Sequence, residues 1–463
     1  MFNRLVIITG KIVHSITQLF HLGAGGTWPG EVVLKLNPQI LPSFLEQIKK
    51  GIIIVAGTNG KTTTSLMIKQ ILEKNGQQII HNNTGANLIN GTVSSLIIKS
   101  NWMGKIHADW GVFEVDENSL SLFLKDIQTS NLETRTVIVL LNLFRDQLDR
   151  YGEVDVIVEK WQTALINLIK DKDHRIKSDD DKVNDTTLIL NADDPAIAYL
   201  GKNLSLQKKY FGINEPQKFL QNLEHAQDST FCLNCGARLL YEGIYFSHLG
   251  IWKCDKCGNT RPEPQLTKWD EVLPGLYNIY NTLASVSTAK AIGIADSQIK
   301  KGLKDFKPAF GRQEEFTINN KKVKIFLSKN PAGFNASLRT VLELNPKTIL
   351  LALNDRIPDG RDISWIWDVD FETIPESMQV IVSGDRAYDM GLRMKYAFRN
   401  QISNSKNQKH ILNFKKNHLI ESELKKAIEA GLNKVNPNET LFVLATYSAM
   451  LEVRRILGGK AIL

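Results

Sequence analysis

The sequence predicts an α/β protein with mostly parallel, doubly wound sheet, and three observations predict it. An apolar run, Gly51 to Ala56, ends in a glycine-rich turn that opens into a helix-period segment, Thr62 to Lys74. Further strand candidates close in chemistry-bearing residues: Gly111 to Glu114, Thr136 to Asn142 and Thr187 to Asn191, with helical segments such as Val154 to Leu168 between them. A second β/α series follows Gly311-Arg312-Gln313-Glu314. Its strands are expected near Val323 to Leu327, Thr348 to Leu353, Gln379 to Val382 and Leu441 to Leu444, and its helices near Ala387 to Phe398 and Glu421 to Gly431. Ligands on such sheets gather at the carboxyl ends of strands, so the polar residues closing these strands stand where a substrate binds.

With 463 residues the chain has room for two or three cores. We expect a boundary near residue 312, giving units 1–312 and 313–463, with 222–264 inserted in the first because it breaks the alternation and holds every cysteine. The charged stretch Lys170 to Asp185 reads as an exposed loop. Leu5 to Phe20 is the most apolar stretch, but Lys11 and His14 interrupt it and no small-residue cleavage site follows, so neither a spanning helix nor a signal peptide is expected. It reads as an amphipathic helix docked on the first unit; the alternative is an apolar face laid on a bilayer surface.

Lys and Arg outnumber Asp and Glu by 57 to 49, a formal +8, loosely concentrated between Lys395 and Lys416. Such an excess suits a phosphorylated or membrane-bound anionic substrate, or is simply a solvated surface. Its modest, scattered distribution argues against a nucleic-acid interface. The four cysteines leave none for a disulfide framework, which indicates a reducing, cytoplasmic setting.

The turn Gly57-Thr58-Asn59-Gly60-Lys61-Thr62-Thr63 has the mechanics of a triphosphate grip. Loop amides and a helix N-terminus face phosphate oxygens, Lys61 neutralises β/γ charge, and the Thr62 hydroxyl ligates Mg²⁺. Val55 stands where the first glycine of the longer eight-residue pattern belongs. Glu114, closing another strand, is the candidate for a further metal ligand; Asp116 and Glu117 read as helix-start charges. Cys232-x₂-Cys235 and Cys254-x₂-Cys257, eighteen residues apart and each followed by glycine, have the spacing of two knuckles converging on one Zn²⁺. A closed four-thiolate site offers substrate no open position, so its role is read as structural.

Together these residues resemble the Mur ligase family. The matching stations are Gly57 to Thr63, Thr84 to Asn87, Glu114, Asn142 to Asp149, Asn191 to Pro195, Gly275 to Asn281 and Gly311 to Glu314, spanning roughly residues 50 to 315. The resemblance implies a central ATP-binding domain with parallel sheet, a Rossmann-like C-terminal α/β domain, and amide-bond formation through an acyl phosphate. It also implies that Lys61, Thr62 and Glu114 handle triphosphate and Mg²⁺, and that Asn278, Asn281 and Arg312 surround the nucleotide, Arg312 countering charge on the transferred phosphoryl.

The chain departs from the family's amino-acid ligases at several points. Gln147 replaces a His, Trp161 falls at the spacing of a modified lysine with Lys160 one short, and Leu327 precedes Ser328-Lys329 where an Asp often stands. About fifty residues precede the phosphate loop, which leaves no domain for a UDP-linked substrate.

The cysteine insertion and Asp355-Arg356-Ile357-Pro358-Asp359-Gly360-Arg361-Asp362 resemble one branch of the family, as do Gly25 to Gly30 and Thr446 to Leu451. These are synthetase subunits that amidate the D-glutamate of lipid II with ammonia from a separate glutaminase subunit, GatD. That branch implies that Asp355 completes a Cys–His–Asp arrangement with the glutaminase, orienting its imidazole. Two rivals stand beside this reading: a stand-alone amino-acid ligase of the folylpolyglutamate type, and a zinc-ribbon ATPase acting on nucleic acid.

Overall fold

The computed structural model describes residues 2–20, 27–82, 87–130, 134–146, 153–175, 186–222, 224–308, 311–403 and 417–459. Gly25 and Gly26, Thr84 to Ala86, Gln147 to Asp149, 176–185 and the basic stretch 404–416 lie outside the described residues.

Three helices come first: α1 (Phe2–Leu19), α2 (Trp28–Leu36) and α3 (Ile40–Leu45). A six-stranded, all-parallel sheet follows, built from β1 (Gly51–Ala56), β2 (Ile79–His81), β3 (Trp110–Val115), β4 (Arg135–Leu140), β5 (Thr186–Asn191) and β6 (Gln207–Phe211), in the order β2-β3-β1-β4-β5-β6. Between its strands run α4 (Lys61–Lys74), α5 (Ile89–Lys99), α6 (Ser119–Thr129), α7 (Val154–Arg175) and α8 (Pro195–Lys202). Both faces of β1 are dry, as its unbroken Ile-Ile-Ile-Val run requires. Ile52 and Ile54 join one core, Ile53 and Val55 the other.

After β6 the chain leaves the sheet and forms a separate antiparallel pair, β7 (Leu240–Phe246) and β8 (Leu249–Lys253), beside the cysteines. It returns where Gln265 N–H donates to Tyr210 O at 2.9 Å. Helices α9 (Leu276–Ala291) and α10 (Asp296–Leu303) then lead to a second six-stranded sheet. That sheet contains β9 (Arg312–Ile318), β10 (Lys321–Leu327), β11 (Thr348–Ala352), β12 (Gln379–Ser383), β13 (His418–Ile420) and β14 (Thr440–Ala445), ordered β13-β12-β11-β14-β10-β9. Only β9 runs antiparallel to its neighbour. Its helices are α11 (Pro331–Glu343), α12 (Ala387–Ser403), α13 (Leu424–Lys434) and α14 (Tyr447–Ile456).

Three expectations need correction. Lys170 to Arg175 is helix rather than loop, because Lys-Asp-Lys-Asp-His-Arg contains neither Gly nor Pro to stop α7. The helix expected from Glu421 begins at Leu424, since Ile420 is still paired in β13 and Glu421 is spent accepting the Glu423 N–H at 3.0 Å. The strand expected to reach Asn142 ends at Leu140, and Asn142 leaves the ladder to hold the phosphate loop.

Candidate active site

The carboxyl ends of β1, β3 and β4 meet β9, β10 and the start of α11 around a cleft of about 330 Å³. Thr58 to Thr63 form its floor. Gly60 opens α4 with φ +90°, and a Cβ there would stand 2.1 Å from Asn281 Oδ1, so both backbone and space demand glycine. Asn142 Oδ1 accepts the Asn59 N–H at 2.8 Å, and the Thr58 N–H donates to Asn142 O at 2.9 Å. The loop is therefore pinned from β4 as well as by its own helix.

Thr62 Oγ1 donates to Glu114 Oε2 at 2.7 Å, both side chains buried. Lys61 folds back over the loop, its Nζ donating to Gly57 O at 2.5 Å and Thr58 O at 3.1 Å and pairing with Glu117 Oε2 at 3.3 Å. Burial pushes the Glu117 carboxyl up, but Lys61 and Lys329 outweigh it and hold the group below its ordinary value. The two acids after Glu114 thus divide. Asp116 is the helix-start residue expected, accepting the Ser119 N–H at 2.7 Å, whereas Glu117 turns to the lysine.

Asn278 and Asn281 sit one turn apart on α9, and both line the cleft. Asn281 Nδ2 donates to Asn278 Oδ1 at 3.1 Å, and Asn278 Nδ2 to Pro274 O at 2.7 Å. Arg312 enters from the first residue of β9; burial lowers its guanidinium from the usual value while Glu114 pulls the other way. The structure thus brings Lys61, Thr62, Glu114, Asn278, Asn281 and Arg312 to one place.

Sequence reasoning missed the contribution of the second sheet's edge. Asn330 exchanges side-chain hydrogen bonds with Asn59, at 3.1 and 3.3 Å, and Lys329 pairs with buried Asp146. Burial raises the Asp146 carboxyl; Lys329 opposes that and Glu117 adds to it. The signal was present in Ser328-Lys329, but pairing across 183 positions of sequence cannot be read from spacing. No lysine occupies the modified-lysine position: Trp161 is fully buried, donating from Nε1 to Glu117 O at 2.8 Å, and Lys160 Nζ reaches Asn118 Oδ1 at 3.5 Å.

Asp355 does not line this cleft. It lies three residues beyond β11, partly exposed, with its Oδ2 accepting from Arg386 at 3.0 Å. Asp359 accepts from the Ser448 N–H at 2.7 Å and from its hydroxyl in the first turn of α14, and Asp362 accepts the Ser364 N–H at 2.8 Å, so both are engaged within the chain. Trp365 packs on Phe334 in the core of the second sheet, while Trp367 is 47% exposed under Arg393.

The four cysteine sulfurs lie within 4.8 Å of one another. The Sγ pairs Cys232–Cys257 and Cys235–Cys254 stand 3.7 and 3.5 Å apart, close to the ~3.8 Å edge of a tetrahedron with Zn–S bonds of ~2.3 Å. Gly236 and Gly258 donate back to Cys232 O and Cys254 O at 2.8 and 3.0 Å, two equivalent knuckles. The hairpin is tied to the first sheet through Asp193, which accepts from Arg261 and Tyr280, each at 2.7 Å. Burial pushes the Asp193 carboxyl up to about 6.

Comparison with known proteins adds a second line. Residues 55–289 match the family described as Mur ligase middle domain, and residues 327–450 that described as MurT ligase C-terminal. The chain is 35% identical over 398 residues to the lipid II isoglutaminyl synthase (glutamine-hydrolyzing) subunit MurT of Staphylococcus aureus (strain COL), covering 81% of this chain and 84% of that one. It is 32% identical to the subunit of the same name from Streptococcus pneumoniae (strain ATCC BAA-255 / R6), over 99% and 97% of the two chains. A pseudomurein peptide ligase type C from Methanothermus fervidus has the same fold, with a TM-score of 0.60 at 21% identity over 90% of this chain and 80% of that one.

Proposed function

This chain belongs to the MurT family of lipid II isoglutaminyl synthase subunits, and on that premise we propose that it uses Mg·ATP to amidate the α-carboxyl of D-isoglutamate in lipid II. The observation that carries the proposal is the meeting of Lys61, Thr62 and Glu114 with Arg312 in one cleft between the two sheets. A carboxylate oxygen of the substrate attacks the γ-phosphorus as the bond to ADP breaks. Ammonia then attacks the acyl carbon, phosphate leaves, and the nitrogen gives up a proton.

In this mechanism Lys61 leaves the loop carbonyls to neutralise the β/γ-phosphates, and Arg312 counters charge on the phosphoryl in flight. Asn278 and Asn281 face the nucleotide. Thr62 Oγ1 and Glu114 Oε2 stand 2.7 Å apart, near the ~3 Å that separates two oxygens sharing one octahedral Mg²⁺. When bound, that ion offsets phosphate charge and aligns the γ-phosphoryl.

The ammonia is assigned to glutamine hydrolysed by a separate glutaminase subunit, GatD, as the resemblance implies and as the relatives' description as a subunit of a glutamine-hydrolyzing synthase supports; all four cysteines of this chain gather in one cluster, which leaves it no other thiol nucleophile. Residues 1–312 are then the nucleotide-binding unit, 222–264 a ribbon holding structural Zn²⁺, and 313–463 the unit facing the glutaminase. Asp355 serves the partner's histidine. The site of action is the cytoplasmic face of the membrane, where a lipid-linked substrate is presented; no helix among the described residues is long and apolar enough to cross a bilayer.

Reconstitution tests the proposal. ATP, lipid II and glutamine are incubated with this chain, with and without the co-purified glutaminase, and product mass is read for replacement of hydroxyl by amine. Amidation only with both subunits, and a loss of about 10²–10³-fold or more with Lys61→Ala, are expected. Turnover with an amino acid and no partner would favour the stand-alone ligase instead.

A further inference from the structure

Helix α1 carries two apolar faces. Val6, Ile7 and Gly10 turn inward, Gly10 abutting Val33 of α2 and Ile97 of α5. At about 100° per residue, Leu5, Ile12, Ile16 and Leu19 fall on a second stripe. These four are between 46% and 74% exposed, and Phe20, just past the helix end, is equally open. Exposed Trp102 and Met103 stand on the adjoining loop, whose Gly104 packs on Ile7, with Lys11 Nζ 5.6 Å over the Trp102 ring. Single exposed leucines need no explanation; a continuous stripe flanked by an aromatic loop does.

The charge around the stripe indicates what covers it. By the same helix spacing Arg4 and Lys11 fall on one flank of it, α1 carries no acid, and Glu31 is the only acid before residue 37, already bridged to Lys35 at 3.3 Å. An apolar stripe with a basic border and a tryptophan beside it matches the interfacial zone of an anionic bilayer.

We propose that the outer face of α1, with Trp102 and Met103, seats this chain on an anionic phospholipid surface. The purpose of such docking rests on the lipid-linked substrate read above; the docking itself does not.

The full-length chain is sedimented with vesicles of phosphatidylglycerol or of phosphatidylcholine, both free of lipid II. Binding to the anionic vesicles that weakens with salt is expected, with a loss of about tenfold or more for Ile12→Glu/Ile16→Glu. Thr9→Leu fills a gap in the stripe and is expected to raise binding by about threefold or more, an outcome independent of whether the double variant folds. Equal sedimentation of all three proteins, or none by the wild type, overturns the proposal. So does a wild-type dimer that becomes monomeric in the double variant, or loss of the glutaminase from that variant, since either makes the stripe a protein interface. Vesicle binding without lipid II amidation would leave the docking standing and sink the proposed reaction, and the reverse result would do the opposite.

Discussion

Lys61, Thr62 and Glu114 owe their meeting to β1 and β3 being parallel neighbours whose last residues end level, Val55 beside Glu114. That much could be read in the sequence, because a carboxylate closing one buried strand and a Gly-Lys-Thr closing another reach the same edge. Glu117 could not, since its pairing with Lys61 depends on how a long side chain turns after leaving the strand. Asp355 shows the same limit from the other side: position at a strand end marked it, but it is the structure that shows Asp359 committed to Ser448 at the start of α14 and Asp362 to the nearby Ser364 backbone. Asp355→Asn should abolish glutamine-dependent amidation while leaving turnover with added ammonium salt within about twofold, because it alters the partner's imidazole and not the phosphoryl-transfer cleft. Equal loss under both conditions, measured on the intact complex, would remove Asp355 from that role.

At the scale of elements, the two knuckles and the strand β2 make different demands on the medium. Four thiols brought together in a small hairpin, read above as a structural Zn²⁺ site, would depend on that ion. Cys254→Ser should release the metal, read by mass spectrometry of the bound ion, and destabilise the ribbon by on the order of several kcal/mol, read as early protease cleavage within residues 224–264. The spacing of the cysteines made their convergence legible, since no side-chain reach beyond the knuckle is involved.

His81 at the end of β2 was not legible. It is buried against Ser65 of α4, and burial, then Lys69 and Lys99, press its imidazole down to about 3. A depressed histidine takes its proton in the unfolded chain first. The stability it gives is therefore complete above about pH 6.5 and falls as pH drops toward about 3, by up to about 1.4 kcal/mol per pH unit. His81→Gln should flatten the acid limb of a plot of unfolding midpoint against pH; an unchanged limb would assign the acid sensitivity elsewhere.

Across the whole molecule, contacts that periodicity cannot reveal join the two sheets. Arg339 of α11 pairs with Glu224, His225 with Asp370, and Arg145 with both Asp228 and Asp368. Residues 224–228, just ahead of the first knuckle, thus fasten the insertion to the second half of the chain. Alternation of strand and helix foretold both sheets; it carried no information on how they clasp, because that is decided by charged side chains far apart in sequence. The reciprocal amides of Asn59 and Asn330 belong to the same clasp, yet one of them lies in the phosphate loop itself. If the loop holds ATP as proposed, these two bonds would also make it register the posture of the far sheet. A glutaminase leaning on that sheet should change the affinity for ATP, and thermodynamic reciprocity then obliges ATP to change the affinity for the glutaminase by the same factor. Calorimetric titration of each ligand in the absence and presence of the other should return one shared factor different from unity, and so make the supply of ammonia answerable to the presence of fuel.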